Sequence, residues 1–225
     1  MNPILVLLKK ELRVEFRTLQ GIVPAALLSF MILMSLKFSV MESVVIEKSG
    51  ILWVSILITG LGLITHTETR EIERRTIETL KLAPISRYQL FLGRTFGSMI
   101  LLWILSSIVF LLFIVLFENV FGDEWLLAYV VVLVGGIGIA AVGNLAASSM
   151  TPMYGGWMLT SLFSIPILLF TVIEAGIKCT DSLITDSSDF QIALTLLFLY
   201  NLVFVTGGAW SVSYTHLRAH ETEEN

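Results

Sequence analysis

Few residues of this sequence have the type and spacing that catalysis or metal binding requires. His66 has the chemistry of a haem or metal ligand, although a lone histidine at a membrane boundary is usually only a polar boundary residue. Glu174, at the outer end of an apolar segment, is interpreted as a solvated end residue in preference to a functional intramembrane acid. The sequence contains no phosphate-binding loop, zinc-protease motif or serine-hydrolase motif. We therefore expect a protein that is not an enzyme and binds no metal or cofactor itself.

The composition is that of an integral membrane protein. Of the 225 residues, 56% are hydrophobic and only 14% are charged, and the mean hydropathy is +0.86. A soluble fold could not bury so many long apolar runs. Cys179 is the only cysteine, which excludes an intramolecular disulfide and a cysteine metal cluster. The basic residues form no solvent-facing patch, so we expect no nucleic-acid partner.

Six apolar segments approach the ~20 residues that cross a bilayer as a helix. We predict an all-α membrane protein with one transmembrane domain over residues 1–211. The five tryptophans, Trp53 among them, fall near segment ends, which indicates interfacial positions. Residues 212–225 differ: Val212–Thr222 resembles a translated sequencing adapter, so we interpret this tail as non-native. The predicted spans are Ile22–Phe38, Ile51–Thr67, Phe96–Phe117, Trp125–Met150, Trp157–Gly176 and Ile192–Trp210.

Lysine and arginine are distributed unequally between the two sides of these spans. Ten lie on the side of the N-terminus, and three (Lys37, Lys48 and Lys178) lie on the other side. Because cytoplasmic segments carry the excess of basic residues, we predict that the N-terminus and the polar stretch after the second span are cytoplasmic.

Residues 3–18 are predicted to form an amphipathic helix before the first span. Two interpretations stay open: an interfacial helix with its basic face toward anionic headgroups, or a plain positive flank of the first span. The apolar face is Leu5, Leu8, Leu12 and Phe16, and the basic face is Lys9, Arg13 and Arg17.

The fourth predicted span is rich in small residues, which allow close approach of a second helix. Asn144 lies beside them and is able to hydrogen-bond across helices; we prefer close packing to contact with a substrate. Pro166 is expected to kink the fifth span. The small residues that share one face are Gly136, Ala140, Gly143 and Ala147.

One long polar stretch, Thr65–Gly93, separates the second and third spans. Thr65 with Glu68 predicts an N-cap and capping box, Pro84 ends the helix, and Ser86 begins the next element. Residues 68–83 thus form a predicted amphipathic helix outside the membrane, placed to receive motion from a partner. Its expected polar contacts are Glu71, Glu73, Arg74, Arg75 and Glu78.

The run Glu73–Arg87, followed by Leu92-Gly93-Arg94, resembles the ABC-2-type permease pattern E-R-x-G-T-x-E-x-L, then Pro, then L-G-K. A closer resemblance is to the haem exporter B subunit, the CcmB family, and three further stretches carry it. Arg94 replaces a frequent lysine. Arg75 replaces a usual glycine, which puts in question the close backbone approach to the ATPase that glycine allows. The three stretches are Lys10–Thr18, Gly50–Val54 and Pro166–Ala175.

The resemblance implies a coupling helix over residues 68–83 and a permease subunit of an ABC transporter complex for cytochrome c maturation. It implies a homodimer with a separate CcmA-like ATPase that uses ATP, a CcmC-like haem-handling membrane protein and a CcmE-like periplasmic haem chaperone. Haem would be the ligand that is exported or delivered, and the membrane would be a bacterial inner membrane. The alternatives are an ABC-2 permease for a drug, lipid or polysaccharide, and a membrane scaffold that transports nothing.

Overall fold

The computed structural model describes residues 3–39, 48–73, 86–118, 120–150, 156–185 and 188–223, and this described part contains helices and no strand. A short 3-10 turn, Gly122–Glu124, precedes the fifth long helix. A π-helical segment, Leu169–Ile173, joins the helices Gly156–Leu168 and Glu174–Thr185. The α-helices are α1 Pro3–Thr18, α2 Ile22–Ser39, α3 Lys48–Glu73, α4 Arg87–Leu116, α5 Trp125–Met150, α6 Gly156–Leu168, α7 Glu174–Thr185 and α8 Phe190–Glu223.

The helices confirm the predicted all-α membrane class. Five helical stretches of the described chain are long and apolar enough to cross a bilayer, and they contain the second to sixth predicted spans or most of each. The first predicted span is α2, which reaches that length only together with α1, and the two helices are bent by 69°. The predicted boundaries of the N-terminal helix, 3–18, are those of α1.

The predicted helix start at Thr65 is wrong, because α3 runs without a break through this residue. The Thr65 hydroxyl donates to the carbonyls of Leu61 and Gly62, at 2.9 and 3.0 Å, and caps no N-terminus. Threonine inside a helix commonly bonds back to the preceding turn in this way, so its hydroxyl does not mark a helix start. Residues 68–73 therefore continue helix α3 and do not form the start of a separate helix.

The predicted start of the next element is confirmed at Ser86. Its hydroxyl accepts from the backbone N–H of Gln89, and the Gln89 side chain accepts from the backbone N–H of Ser86. This reciprocal capping box fixes the first turn of α4.

Helix α5 is the centre of the bundle and contacts α3, α4, α6, α7 and α8. Its glycines bring the neighbours close, and the largest side chain held there is Trp53 of α3, which is fully buried. A Cβ atom on Gly135 or Gly176 would overlap the indole ring, and the indole N–H donates to Thr180 Oγ1 at 3.1 Å. The predicted interfacial position of Trp53 is thus wrong, because glycines make room for the ring inside the core and Thr180 satisfies its donor.

The fifth span extends beyond its predicted end at Gly176. Pro166 lies inside α6, the π-helical segment follows, and α7 then continues to Thr185. Hydroxyl groups in α7 bond to carbonyls of their own helix, as Thr180 does to Gly176 at 2.9 Å. Such bonds satisfy the hydroxyl groups inside the bundle. Because the helical stretch continues to Thr185, Glu174 lies within it and not at its end.

Candidate coupling site

Glu15, in the last turn of α1, is fully buried and joins three helices. Its Oε1 accepts the backbone N–H groups of Gly21 and Ile22, at 2.7 and 2.9 Å. Its Oε2 accepts from Arg70 Nη1 at 2.9 Å. A carboxylate at the start of a helix satisfies free N–H groups and complements the helix dipole. One side chain therefore caps α2 and ties α1 to the end of α3.

The backbone between α1 and α2 is built around this carboxylate. Leu19 adopts a left-handed conformation, with φ +52°, where the chain changes direction. A Cβ atom on Gly21 would lie 2.8 Å from Glu15 Oε1, so a side chain there would displace the carboxylate. Burial alone would raise the pKa of Glu15, but the two backbone N–H donors and Arg70 outweigh it and hold the pKa below its usual range. Glu15 is therefore ionised at neutral pH.

A second buried ion pair joins α3 to α4. Arg94 Nη1 lies 3.4 Å from Glu68 Oε1, and both side chains are largely inaccessible to solvent. Nearby on α1, Lys10 Nζ lies 3.6 Å from Glu11 Oε1. Burial, opposed by Glu11, lowers the pKa of Lys10. We call the set of three acids and three bases the charged cluster: Lys10, Glu11, Glu15, Glu68, Arg70 and Arg94.

Two glycines place α1 against α4 beside this cluster. A Cβ atom on Gly93 would lie 2.9 Å from Leu7 Cδ1, and one on Gly97 would lie 3.0 Å from Glu11 Cγ. Their four-residue spacing puts both glycines on one face of α4, where the absence of side chains permits close helix contact. The face of α1 that packs there carries Leu7, Glu11 and Glu15, all buried.

A polar pocket adjoins the charged cluster. Asn144 Nδ2 donates to the Ala140 carbonyl at 2.8 Å, and Ser98 Oγ lies 3.5 Å from Asn144 Oδ1. Asn144 thus connects α5 to α4, which is the packing role that the sequence favours. The pocket is lined by Glu11, Ile64, Thr67, Glu68, Arg94, Ser98 and Asn144.

The small residues of α5 do allow close packing, although the tightest positions lie partly outside the predicted stripe. Within the stripe, a Cβ atom on Gly143 would lie 2.5 Å from Cδ1 of Ile64 on α3, and one on Gly136 would lie 3.4 Å from Cδ1 of Trp103 on α4. Outside it, Gly135 accommodates Trp53, and Gly138 faces α8 and the π-helical segment. The difference arises because large side chains of several helices, and not of one, converge on α5.

The structure does not bring the two titratable candidates into the charged cluster. His66 is partly buried, and its Nδ1 has no hydrogen-bond partner among the described residues. Glu174 is half-exposed and pairs with Lys178 one turn later, at 2.9 Å. In the described ranges no group of three or more His, Cys, Asp or Glu side chains could hold a metal ion.

The predicted partner contacts follow directly on the charged cluster in sequence. Glu71 and Glu73 occupy the last turn of α3. Arg74, Arg75 and Glu78 lie outside the described residues, as does the rest of the predicted helix to residue 83. Their contact with a partner stays a prediction.

Sequence reasoning missed the pairing of Glu15 with Arg70 and the role of Gly93 and Gly97. The available signal was Glu11 and Glu15 four residues apart on a helix that is otherwise basic, because acids opposite a basic face require partners of their own. The glycine spacing in Gly93-Arg94-Thr95-Phe96-Gly97 was a second signal.

Residues 2–214 match the family model described as CcmB protein. No curated protein matches the chain significantly. The match covers nearly the whole sequence, so the chain belongs to the CcmB family, which implies a multi-pass permease component of the haem-exporting ABC transporter of cytochrome c maturation.

Proposed function

We propose that this CcmB-family subunit receives motion from a separate CcmA-like ATPase at residues 68–83 and passes it to its spans through the charged cluster. The observation that carries the proposal is the position of Glu68 and Arg70 at the end of α3, immediately before the predicted contacts. Arg70 holds Glu15, and Glu68 holds Arg94. A displacement of this end of α3 is therefore transmitted to α1, α2 and α4 together.

The partner contacts proposed for residues 68–83, which we call the coupling stretch, are charged residues of both signs. They follow Arg70 closely in sequence, so a force applied to them acts near the charged cluster. The residues are Glu71, Glu73, Arg74, Arg75 and Glu78.

The proposed orientation puts the charged cluster on the cytoplasmic side of a bacterial inner membrane. Ten basic residues on that side against three on the other support this orientation. The cluster joins the N-terminal helix to both ends of the polar stretch Thr65–Gly93, which all lie on the basic side. The ATPase would then work where ATP is present.

In the proposed reaction, ATP is hydrolysed by the partner subunit, and this chain supplies no catalytic residue. Two copies of the chain form the permease and assemble with the ATPase and a CcmC-like membrane protein. Haem is the transported or delivered ligand, and a CcmE-like periplasmic chaperone receives it.

Affinity purification of the chain from its native membrane, followed by identification of the bound proteins, tests the proposed assembly. We expect to recover a small ATPase together with a haem-handling membrane protein. Recovery of the ATPase alone would contradict the haem partners and favour an exporter of another substrate. Absence of any ATPase would overturn the proposed coupling stretch.

The variant Glu78→Lys separates a coupled permease from a scaffold. A reversed charge in the coupling stretch should reduce the yield of haem-loaded cytochrome c while the complex still assembles. Lys178→Gln, which removes an exposed charge far along the chain, is the matched control. Normal cytochrome c maturation in an assembled Glu78→Lys complex would instead support a scaffold.

A further inference from the structure

Helix α1 sorts its charges by face. Glu11 and Glu15 are buried against the bundle, whereas Lys9, Arg13 and Arg17 are exposed. These bases recur every four residues, so they form one continuous stripe. None of the three forms an ion pair with another residue of the described chain. The outward surface of α1 therefore carries three positive charges and no acid.

An apolar stripe lies beside the basic stripe. The side chains of Leu5 and Phe16 are 62% and 54% exposed. Leu8 and Leu12, on the same side of the helix, are only partly covered. At ~100° per residue this stripe falls between the buried face and the basic face. The bundle is packed mainly by the face that includes Leu7, and Leu12 reaches the edge of the core, so the two ends of the apolar stripe, Leu5 and Phe16, remain exposed.

The direction of α1 matches this sorting. The bend of 69° between α1 and α2 means that, where α2 follows the membrane normal, α1 lies closer to the membrane plane than to the normal. Glu15 fixes the bend because it caps α2 from the end of α1. The helix is thus held at a steep angle to α2 while it packs against α4.

We infer that this outward surface of α1 is a binding site for anionic phospholipids. The apolar stripe enters the acyl boundary, and the basic stripe contacts headgroup phosphates. The charged partner is an anionic lipid and not an acidic protein surface, because the exposed apolar stripe runs alongside the bases at the position of the water–lipid boundary. The inference does not depend on the substrate or on the ATPase.

Native mass spectrometry of the purified full chain with added lipid tests the site directly. We expect phosphatidylglycerol to be retained in preference to phosphatidylcholine. Each base replaced in Lys9→Gln, Arg13→Gln and Arg17→Gln should weaken phosphatidylglycerol binding about fivefold and leave phosphatidylcholine binding unchanged. Arg13→Lys, which keeps the charge, should bind nearly as the unchanged protein does. Lys178→Gln, at an exposed base paired with Glu174, is the control for a charge outside α1.

Hydrogen exchange in nanodiscs locates the effect on the helix. Phosphatidylglycerol should increase protection of α1 amides relative to phosphatidylcholine alone. The triple variant, which combines Lys9→Gln, Arg13→Gln and Arg17→Gln, should lose this difference and keep the unfolding temperature of the wild-type protein. Equal phosphatidylglycerol retention by the triple variant and the unchanged protein would overturn the inference. Protection that appears only when an ATPase subunit is bound, whatever the lipid, would also overturn it and assign the face to a protein partner.

Discussion

At the scale of single residues, Glu15 is the side chain with the most consequences. Replacement by Gln keeps the shape and one acceptor for the α2 cap but leaves the buried Arg70 without its counter-ion. Breaking a buried pair from one side costs about 3 kcal/mol or more. We therefore expect Glu15→Gln to lower the unfolding temperature of the purified protein clearly. Lys178→Gln breaks an exposed pair that solvent screens, so it should change the unfolding temperature little. Equal unfolding temperatures for the two variants would contradict a buried Glu15–Arg70 bond.

The same carboxyl predicts a dependence on pH. The pKa of Glu15 is lower in the folded protein than in the unfolded chain, where it is ~4.3. Its contribution to the free energy of unfolding is then fully present above the unfolded value and is lost as the pH falls through the folded value. The difference in unfolding temperature between the unchanged protein and Glu15→Gln should be greatest near neutral pH and shrink below about pH 4. A difference that stays constant on acidification would show that the carboxylate charge is not the cause.

At the scale of helices, we predict that the contact between α1 and α4 depends on glycines of α4, which have no side chain. An added Cβ at Gly97 would lie 3.0 and 3.1 Å from Glu11 carbons, whereas at Gly62 of α3 nothing lies within 4 Å. Both changes to Ala gain up to about 1 kcal/mol of helix propensity. At Gly97 that gain is offset by overpacking that costs about 1–3 kcal/mol. Thermal unfolding should thus show Gly62→Ala stabilised and Gly97→Ala less stable than Gly62→Ala. The reverse order would refute close contact at Gly97.

Hydropathy was sufficient to predict which segments form helices, because a membrane requires long apolar runs. The start of α4 at Ser86 was predictable as well, since its cap uses only neighbouring residues. Trp53 and Thr65 show the limit of such reasoning. Tryptophan suits both an interface and a glycine-lined core, and a threonine hydroxyl bonds equally well at a cap or to its own helix. For Trp53 the outcome depends on α5 and α7, which lie far away in sequence. For Thr65 it depends on whether the helix continues on its N-terminal side.

The candidate site was less predictable than the spans, because its contacts join residues that are distant in sequence. The sequence indicated that the polar stretch Thr65–Gly93 is special, but it did not pair Arg70 with Glu15, which lies 55 residues earlier. Glu68 was interpreted as a capping residue, and the structure pairs it with Arg94 across two helices. Long-range partners of buried charges are set by packing, which local spacing does not encode.

At the scale of the whole molecule, the charged cluster concentrates the connections between α1, α2, α3 and α4 at one end of the bundle. Buried ion pairs are weak sources of net stability, but separating the partners is costly because it leaves an uncompensated buried charge, so each group holds its partner in place. An arrangement of this kind suits a subunit that must move several helices together when a partner pulls on one of them. It also explains why charges occur where spans enter an apolar bundle.

This argument predicts that weakening the cluster reduces transport before it reduces assembly. In a complex with the ATPase, Glu68→Gln removes the charge that holds Arg94 but leaves residues 71–83 unchanged, so the ATPase should still co-purify. A coupling free energy of roughly 1–3 kcal/mol between ATPase motion and the spans corresponds to roughly 5–150-fold. We therefore expect the yield of haem-loaded cytochrome c to fall by about tenfold within that range, measured by haem staining at equal amounts of complex. Glu174→Gln, which breaks an exposed pair outside the cluster, should leave the yield unchanged. An assembled Glu68→Gln complex with a normal yield would show that motion reaches the spans by another route.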